Sequence, residues 1–166
     1  MTAPLAEIRL HPSPILRTAS MRVENTWTCR KEARELADQM LAVMHASPTP
    51  GVGLAAQQVG RLLRVMVWNA TGLRSDDHAL ANAYIIARYG IAREQEACLS
   101  LPGVQRVKPR AQTVRIRGYD LFAKESVEIT AHGFEARILQ HETDHLDGFL
   151  FIDRREPKPS RKKVRT

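Results

Sequence analysis

Apolar positions along the chain change their period several times, and each change predicts an element. Between Thr28 and Ala46, the residues Ala33, Leu36, Met40, Val43 and Met44 recur at steps of three and four with charge between them. That spacing makes one face of a helix. Ser47-Pro48-Thr49-Pro50-Gly51 ends it. From Leu62 to Trp68 the period falls to two, with Leu63, Val65 and Val67 on one side of a strand. Gln112 to Tyr119 alternates in the same way, Val114 and Ile116 opposite Arg115 and Arg117. Ser126 to Thr130 repeats the pattern with Val127 and Ile129, so these two segments are expected to pair antiparallel. Ala83 to Tyr89 is expected to be another short strand, and Ala70 to Asp77 a loop. The prolines in Leu10–Leu16 predict an extended opening, because each pushes its predecessor out of the helical region. Finally Phe134, Ile138, His141 and His145 fall four, three and four apart, one face of a second helix that Asp147-Gly148 stops.

That second helix carries the chemistry. In Gln140-His141-Glu142-Thr143-Asp144-His145 two histidines lie at i and i+4, so both imidazoles can face one metal ion. Glu142 sits too close to His141 to join them easily as a ligand, and instead can take a proton from water on that metal. This HExxH pattern points to a metal-dependent hydrolase attacking a carbonyl. The expected fold is α+β: short antiparallel strands packed around a central metal-binding HExxH helix, with an N-terminal helix.

Composition narrows the setting. The chain has 166 residues, 43% of them hydrophobic, enough for one core. No apolar run is long enough for a membrane span, and Met1–Glu7 shows no basic, apolar leader. Two cysteines, Cys29 and Cys98, do not make a disulfide scaffold, and a reducing, cytoplasmic setting is expected. The net charge is +7, of which +5 lies from Asp153 onward: Arg154, Arg155, Lys158, Arg161, Lys162, Lys163 and Arg165 against Asp153 and Glu156. Residues 1–152 are therefore expected to form the catalytic domain and 153–166 a basic tail. Such a tail either stays solvated or docks on phosphate.

Two histidines need a third ligand. Some helical zinc proteases place a histidine six residues past the second one. Here that position is Phe151, and no histidine follows His145. Cys98, in Glu96-Ala97-Cys98-Leu99-Ser100, remains. A lone free cysteine is most often a small buried residue. Beside a two-histidine helix short of a ligand, a thiolate donor is the better reading, and it suits zinc or ferrous iron.

Three segments then occur in order: Gly51-Val52-Gly53-Leu54-Ala55-Ala56-Gln57-Gln58, Glu96-Ala97-Cys98-Leu99-Ser100 and Gln140-His141-Glu142-Thr143-Asp144-His145. In them the chain resembles the peptide deformylase family, and softer similarity runs from about Ile8 to Asp153. The resemblance implies removal of the formyl group from formyl-methionine at the N-termini of newly made polypeptides, releasing formate. It implies a metal held by Cys98, His141 and His145, Fe2+ in the cell and replaceable by Zn2+, Ni2+ or Co2+ in purified protein. Glu142 would be the general base. The Leu99 N–H and the Gln58 amide would stabilise the oxyanion. Val52, Gly53, Leu54 and Leu101 would bind substrate. The tail would contact the ribosome, and no membrane is involved. The chain departs from the family at Ala97, where glycine is usual, at Ala81-Asn82-Ala83 in place of Ile-Asn-Pro, and at Gln105-Arg106, where the usual arginine is shifted by one. Two other readings stay open: a related hydrolase with altered acyl or N-terminal specificity, and a ribosome- or RNA-binding module without turnover.

Overall fold

The computed structural model describes residues 6–49 and 51–153. In chain order the elements are α1 (Trp27–Ala46), β1 (Gly53–Ala55), β2 (Val65–Trp68), β3 (His78–Tyr89), β4 (Ala92–Ala97), β5 (Gln105–Arg110), β6 (Thr113–Asp120), β7 (Glu125–His132) and α2 (Gly133–Leu146). Five strands form one antiparallel sheet in the order β1-β2-β3-β6-β7, and β4 and β5 form a separate hairpin.

Each helix covers one face of the sheet. α1 begins at Thr26, whose hydroxyl accepts the Cys29 N–H at 3.2 Å and satisfies one of the helix's orphan donors. Its apolar stripe (Ala33, Leu36, Ala37, Met40, Met44) packs with Val65, Val67, Ala79 and Leu121. On the other face, Ala136, Ile138, Leu139 and Leu146 of α2 pack with Met66, Trp68, Leu80, Val114 and Ile116. Alternate residues of β2 therefore enter opposite cores, and all four are buried. β6 and β7 pair antiparallel as their patterns predict, with Ile116 opposite Ile129.

Several expectations are corrected. The proline-rich opening is not extended throughout: Pro14–Arg17 is a 3-10 turn that buries Leu16, and a proline at the first helical position has a φ already suited to it. β3 is not short but twelve residues long. Irregularities between Ala81 and Tyr84 and between Ile85 and Ala87 break its pairing with β6, and these resets hide the alternation. At the first of them Asn82 takes φ +55°, and its amide grips the Val23 backbone at 2.8 and 2.9 Å. The β4–β5 hairpin escapes the pattern altogether, because its buried residues are Glu96, Lys108 and Arg110.

The largest correction concerns the architecture around the HExxH helix. The metal-capable cluster is Cys98, His141 and His145, so the HExxH motif by itself is not the metal site. Two donors at i and i+4 leave the third side of a site open. The set closes only because the residue after β4 is carried onto α2.

Candidate metal centre

Cys98 is held at a sharp turn, with the Leu101 N–H donating to the Cys98 carbonyl at 3.0 Å. The segment near the N-terminus ties two of the motif segments together: the Arg9 N–H reaches the Gln58 carbonyl at 2.7 Å, and the His11 N–H reaches the Ser100 carbonyl at 2.8 Å. The result is a buried convergence. Cys98 Sγ lies 3.3 Å from His145 Nε2, and His145 Nε2 lies 3.2 Å from His141 Nε2. One ligand atom from each residue falls within 4.8 Å of the others. Bonds of about 2.0–2.3 Å at tetrahedral angles set donor atoms roughly 3.3–3.6 Å apart. The three side chains therefore fit a single divalent cation, with a donor set of one sulfur and two nitrogens.

The two imidazoles are held differently. His141 Nδ1 sits 3.0 Å from Glu96 Oε2, which directs its Nε2 lone pair into the cluster. Glu96 is itself gripped. Arg110 reaches it bidentately at 2.7 and 2.9 Å, and Arg137 adds a bond at 2.8 Å. Burial works against the charged form of Glu96, yet the bonds from Arg110 and His141 hold its carboxyl far below the ordinary range. Asp144 accepts the remaining reach of Arg110 at 2.5 Å. Burial pushes His145 well below the ordinary imidazole range, and His141 adds to the shift. That neutral form is the one that ligates metal.

Glu142 points into the same space. It is 3% exposed, and its Oε2 has no hydrogen-bond partner among the described residues. Burial raises its carboxyl to about 7, with Glu96 and Asp144 adding to the rise against His141 and Arg110. Gly53 lies against it. A Cβ there would come within 2.9 Å of both the Glu142 carboxyl carbon and Ile138 Cγ2, so only glycine permits this approach. The side-chain oxygen of Gln58 accepts the Ala55 N–H at 2.9 Å. This turns its NH2 toward Cys98 Sγ at 3.5 Å and Ser100 Oγ at 3.1 Å.

A cleft of about 620 Å³ opens onto this cluster. Val52, Gly53, Leu99 and Leu101 line it, together with Phe134 and Ile138, as do Gln58, Cys98, His141 and Glu142. Leu54 does not. Its side chain is fully buried in the core beneath α1, because alternation along β1 turns it away from the cleft. Ala97 is exposed at the rim and its φ is not positive, so its Cβ strains nothing. Phe151, where a protease histidine would stand, packs its ring 5.8 Å from His141. Sequence reasoning missed Glu96, Arg110 and Arg137. The one available signal was Glu96 two residues before Cys98, which sets the two side chains on the same side of an extended strand.

A hydrolase that works through one divalent metal is the class this geometry defines. Residues 5–161 match the family described as polypeptide deformylase. The peptide deformylase of Rhodopirellula baltica is 40% identical over 145 residues, covering 86% of this chain and 69% of that protein. The peptide deformylase of Syntrophobacter fumaroxidans is 40% identical over 156 residues, covering 92% and 88%. In three dimensions, the class I type b peptide deformylase of Acinetobacter baumannii superposes with a TM-score of 0.81 at 30% identity, covering 92% of this chain and 100% of that one. The chain belongs to the polypeptide deformylase family. Among the described residues no helix is long and apolar enough to cross a membrane.

Proposed function

We propose that the chain hydrolyses the formyl amide at the N-terminus of newly made polypeptides, formyl-methionine foremost, and releases formate. The observation that carries this reading is the buried Cys98, His141 and His145 cluster beside a Glu142 carboxylate whose Oε2 has no partner among the described residues, at the head of a peptide-sized cleft. Cys98, His141 and His145 would hold a divalent cation, which would supply a Lewis acid able to acidify water and polarise the formyl carbonyl.

The chain's own groups do the rest. Glu142 accepts the proton of the attacking water at its carboxylate and returns it to the leaving amine. Its burial, which by itself raises the carboxyl, favours the protonated form it takes between the two transfers. The Leu99 N–H and the Gln58 NH2 donate to the oxygen on which negative charge develops. The Ala55 bond to the other end of the Gln58 amide orients that donor before substrate arrives. Val52 and Gly53 offer the edge of β1 to the substrate backbone as an added strand, and Leu101 supplies apolar wall.

Fe2+ is the ion we assign in the cell, with Zn2+, Ni2+ or Co2+ able to replace it in purified protein, since sulfur and imidazole donors accept all four. We assign residues 1–152 to catalysis in the cytoplasm and the basic tail, 153–166, to contact with ribosomal RNA. From Arg154 onward the tail lies outside the described residues. Unchanged co-sedimentation with ribosomes at low salt after deletion of residues 157–166 would refute the tail's role.

The deciding experiment is an anaerobic assay of formyl-Met-Ala-Ser with metal analysis, on wild type and Glu142→Ala. The variant is expected to retain its metal and lose turnover by at least about 100-fold. Full activity in the variant, or equal turnover of acetyl-Met-Ala-Ser by wild type, would refute the reading.

A further inference from the structure

The two ligand histidines do not share the same kind of support. His141 rests on Glu96, but His145 Nδ1 is buried with no partner among the described residues. A ligating imidazole whose second nitrogen is unheld can turn and can lose the tautomer that binds metal. Glu142 Oε2 aside, two other buried polar atoms share this condition: the side-chain oxygen of Gln57 and the hydroxyl of Ser20. All three belong to residues tied to the last turn of α2. The Gln57 NH2 donates to the His145 carbonyl at 2.5 Å and to the Thr18 carbonyl at 3.3 Å. The Ser20 N–H donates to the Leu146 carbonyl at 2.9 Å.

The remaining bonding capacity is complementary. With Nε2 turned to the metal cluster, Nδ1 carries the proton and must donate. The Gln57 oxygen can only accept, and the Ser20 hydroxyl can do either. One water molecule, with two hydrogens and two lone pairs, satisfies all three, and buried waters make about three such bonds to groups that otherwise lack partners. The flanking residues suit this role: Gln57 is 0% exposed, and its own NH2 pins its amide in place.

We infer that Gln57 and Ser20 hold a single buried water that accepts the Nδ1 proton of His145. Gln57 is thereby a positioning residue for the second imidazole, as Glu96 is for the first. The inference rests on the reading of His145 as a metal ligand. It adds that the first glutamine of Gln57-Gln58 serves the metal while the second serves the substrate.

The test uses the full chain loaded with Co2+, whose visible spectrum reports the ligand field and whose loss to a chelator gives an off-rate. Gln57→Met keeps the volume and removes both hydrogen-bonding atoms. It is expected to release cobalt on the order of 10-fold faster than wild type and to shift the cobalt bands. Ser20→Ala is expected to move both readouts the same way by a smaller factor. Unchanged spectrum and off-rate in Gln57→Met would overturn the inference. If Gln57→Met does not fold, a high-resolution crystal structure of the cobalt-loaded wild type decides. A water within about 3.2 Å of His145 Nδ1, Gln57 Oε1 and Ser20 Oγ supports the inference, and no water there overturns it. Wild type that binds no cobalt through Cys98 and the two imidazoles would sink the metal-site reading itself. Wild type that binds cobalt normally, beside an unaltered Gln57→Met, sinks only the role of Gln57.

Discussion

The two faces of the sheet are built from opposite materials. Beneath α1 the interior is apolar throughout: Ala33, Leu36, Met40 and Met44 meet Val65, Val67 and Leu121 with no charge among them. Where α2 meets the β4–β5 hairpin, the interior is charged. Glu96, Arg110, Arg137 and His141 are buried in one hydrogen-bonded network, and Glu142 is buried beside His141 on the same helix. The first region stabilises by area removed from water and tolerates approximate shape. The second gains little net stability from its ion pairs, because desolvation offsets attraction. What it provides is fixed direction. Both Glu96 oxygens are held by two partners each, Arg110 and Arg137 on one and Arg110 and His141 on the other, and the last link in that chain is the ring of His141. Arg137 shows the point. Its donors reach Glu94, Glu96 and the carbonyls of Ala92 and Lys108, so one side chain of α2 holds the whole hairpin in place.

Breaking the charged side should therefore cost both stability and metal, while breaking the apolar side should cost stability alone. The largest effect is expected from Glu96→Gln, which leaves Arg110 and Arg137 buried without a full counter-charge. Urea denaturation of the metal-free variant should show a loss of about 3–5 kcal/mol, and metal affinity should fall roughly 10- to 100-fold. A variant as stable as wild type, with unchanged affinity, would erase the contrast between the faces. The pH dependence sharpens it. The folded pKa of Glu96 is depressed, so its contribution is complete above the unfolded value near 4.5 and drains away as pH falls from there toward the folded value. The stability gap between wild type and Glu96→Gln should stay level from neutral pH down to that point and narrow only in stronger acid.

Met40→Ala is the matching change on the other face. Met40 is 0% exposed, and truncating it should cost about 2–5 kcal/mol. Turnover per folded, metal-loaded molecule should not change. A fall in kcat/KM after correction for folded fraction would show that the apolar face also sets the site's geometry. The smallest effect is expected from Asp153→Asn. Asp153 joins Arg17 at 2.6 Å and accepts the Leu150 N–H at 2.9 Å, at the place where the described chain ends. Burial opposes its charge, but the Arg17 and Leu150 bonds together with the nearby positive charges hold its carboxyl below the ordinary range. Solvent screens the pair, so the loss should be at most about 1 kcal/mol at neutral pH and should vanish in acid. A larger loss in thermal unfolding would mean that this tie fastens more than the surface.

Both helices, β2, the β6–β7 pair and the histidine pair were legible because each is marked by a local period or spacing. Val65 and Val67 had to share a face, and so did His141 and His145, whatever surrounds them. The hairpin was illegible for the converse reason: Glu96 and Arg110 look like solvated residues until each is seen to be the other's partner, fourteen positions away. Leu54 shows the same limit on a smaller scale, since three residues of β1 do not reveal which side of the strand faces the cleft.

By itself the sequence determined which donors exist and which short segments carry them: a thiol, an i,i+4 pair of imidazoles, a carboxylate beside them, and glycines where side chains must come close. Only the tertiary structure decided how the residue after β4 is carried within reach of both imidazoles, that Glu96 and not a residue of α2 steers His141, and that Glu142 is buried with its carboxyl raised. The reason is physical. Backbone periodicity is set by bonds a few residues long, whereas the direction of a lone pair and the energy of a buried charge depend on partners that folding brings from distant parts of the chain.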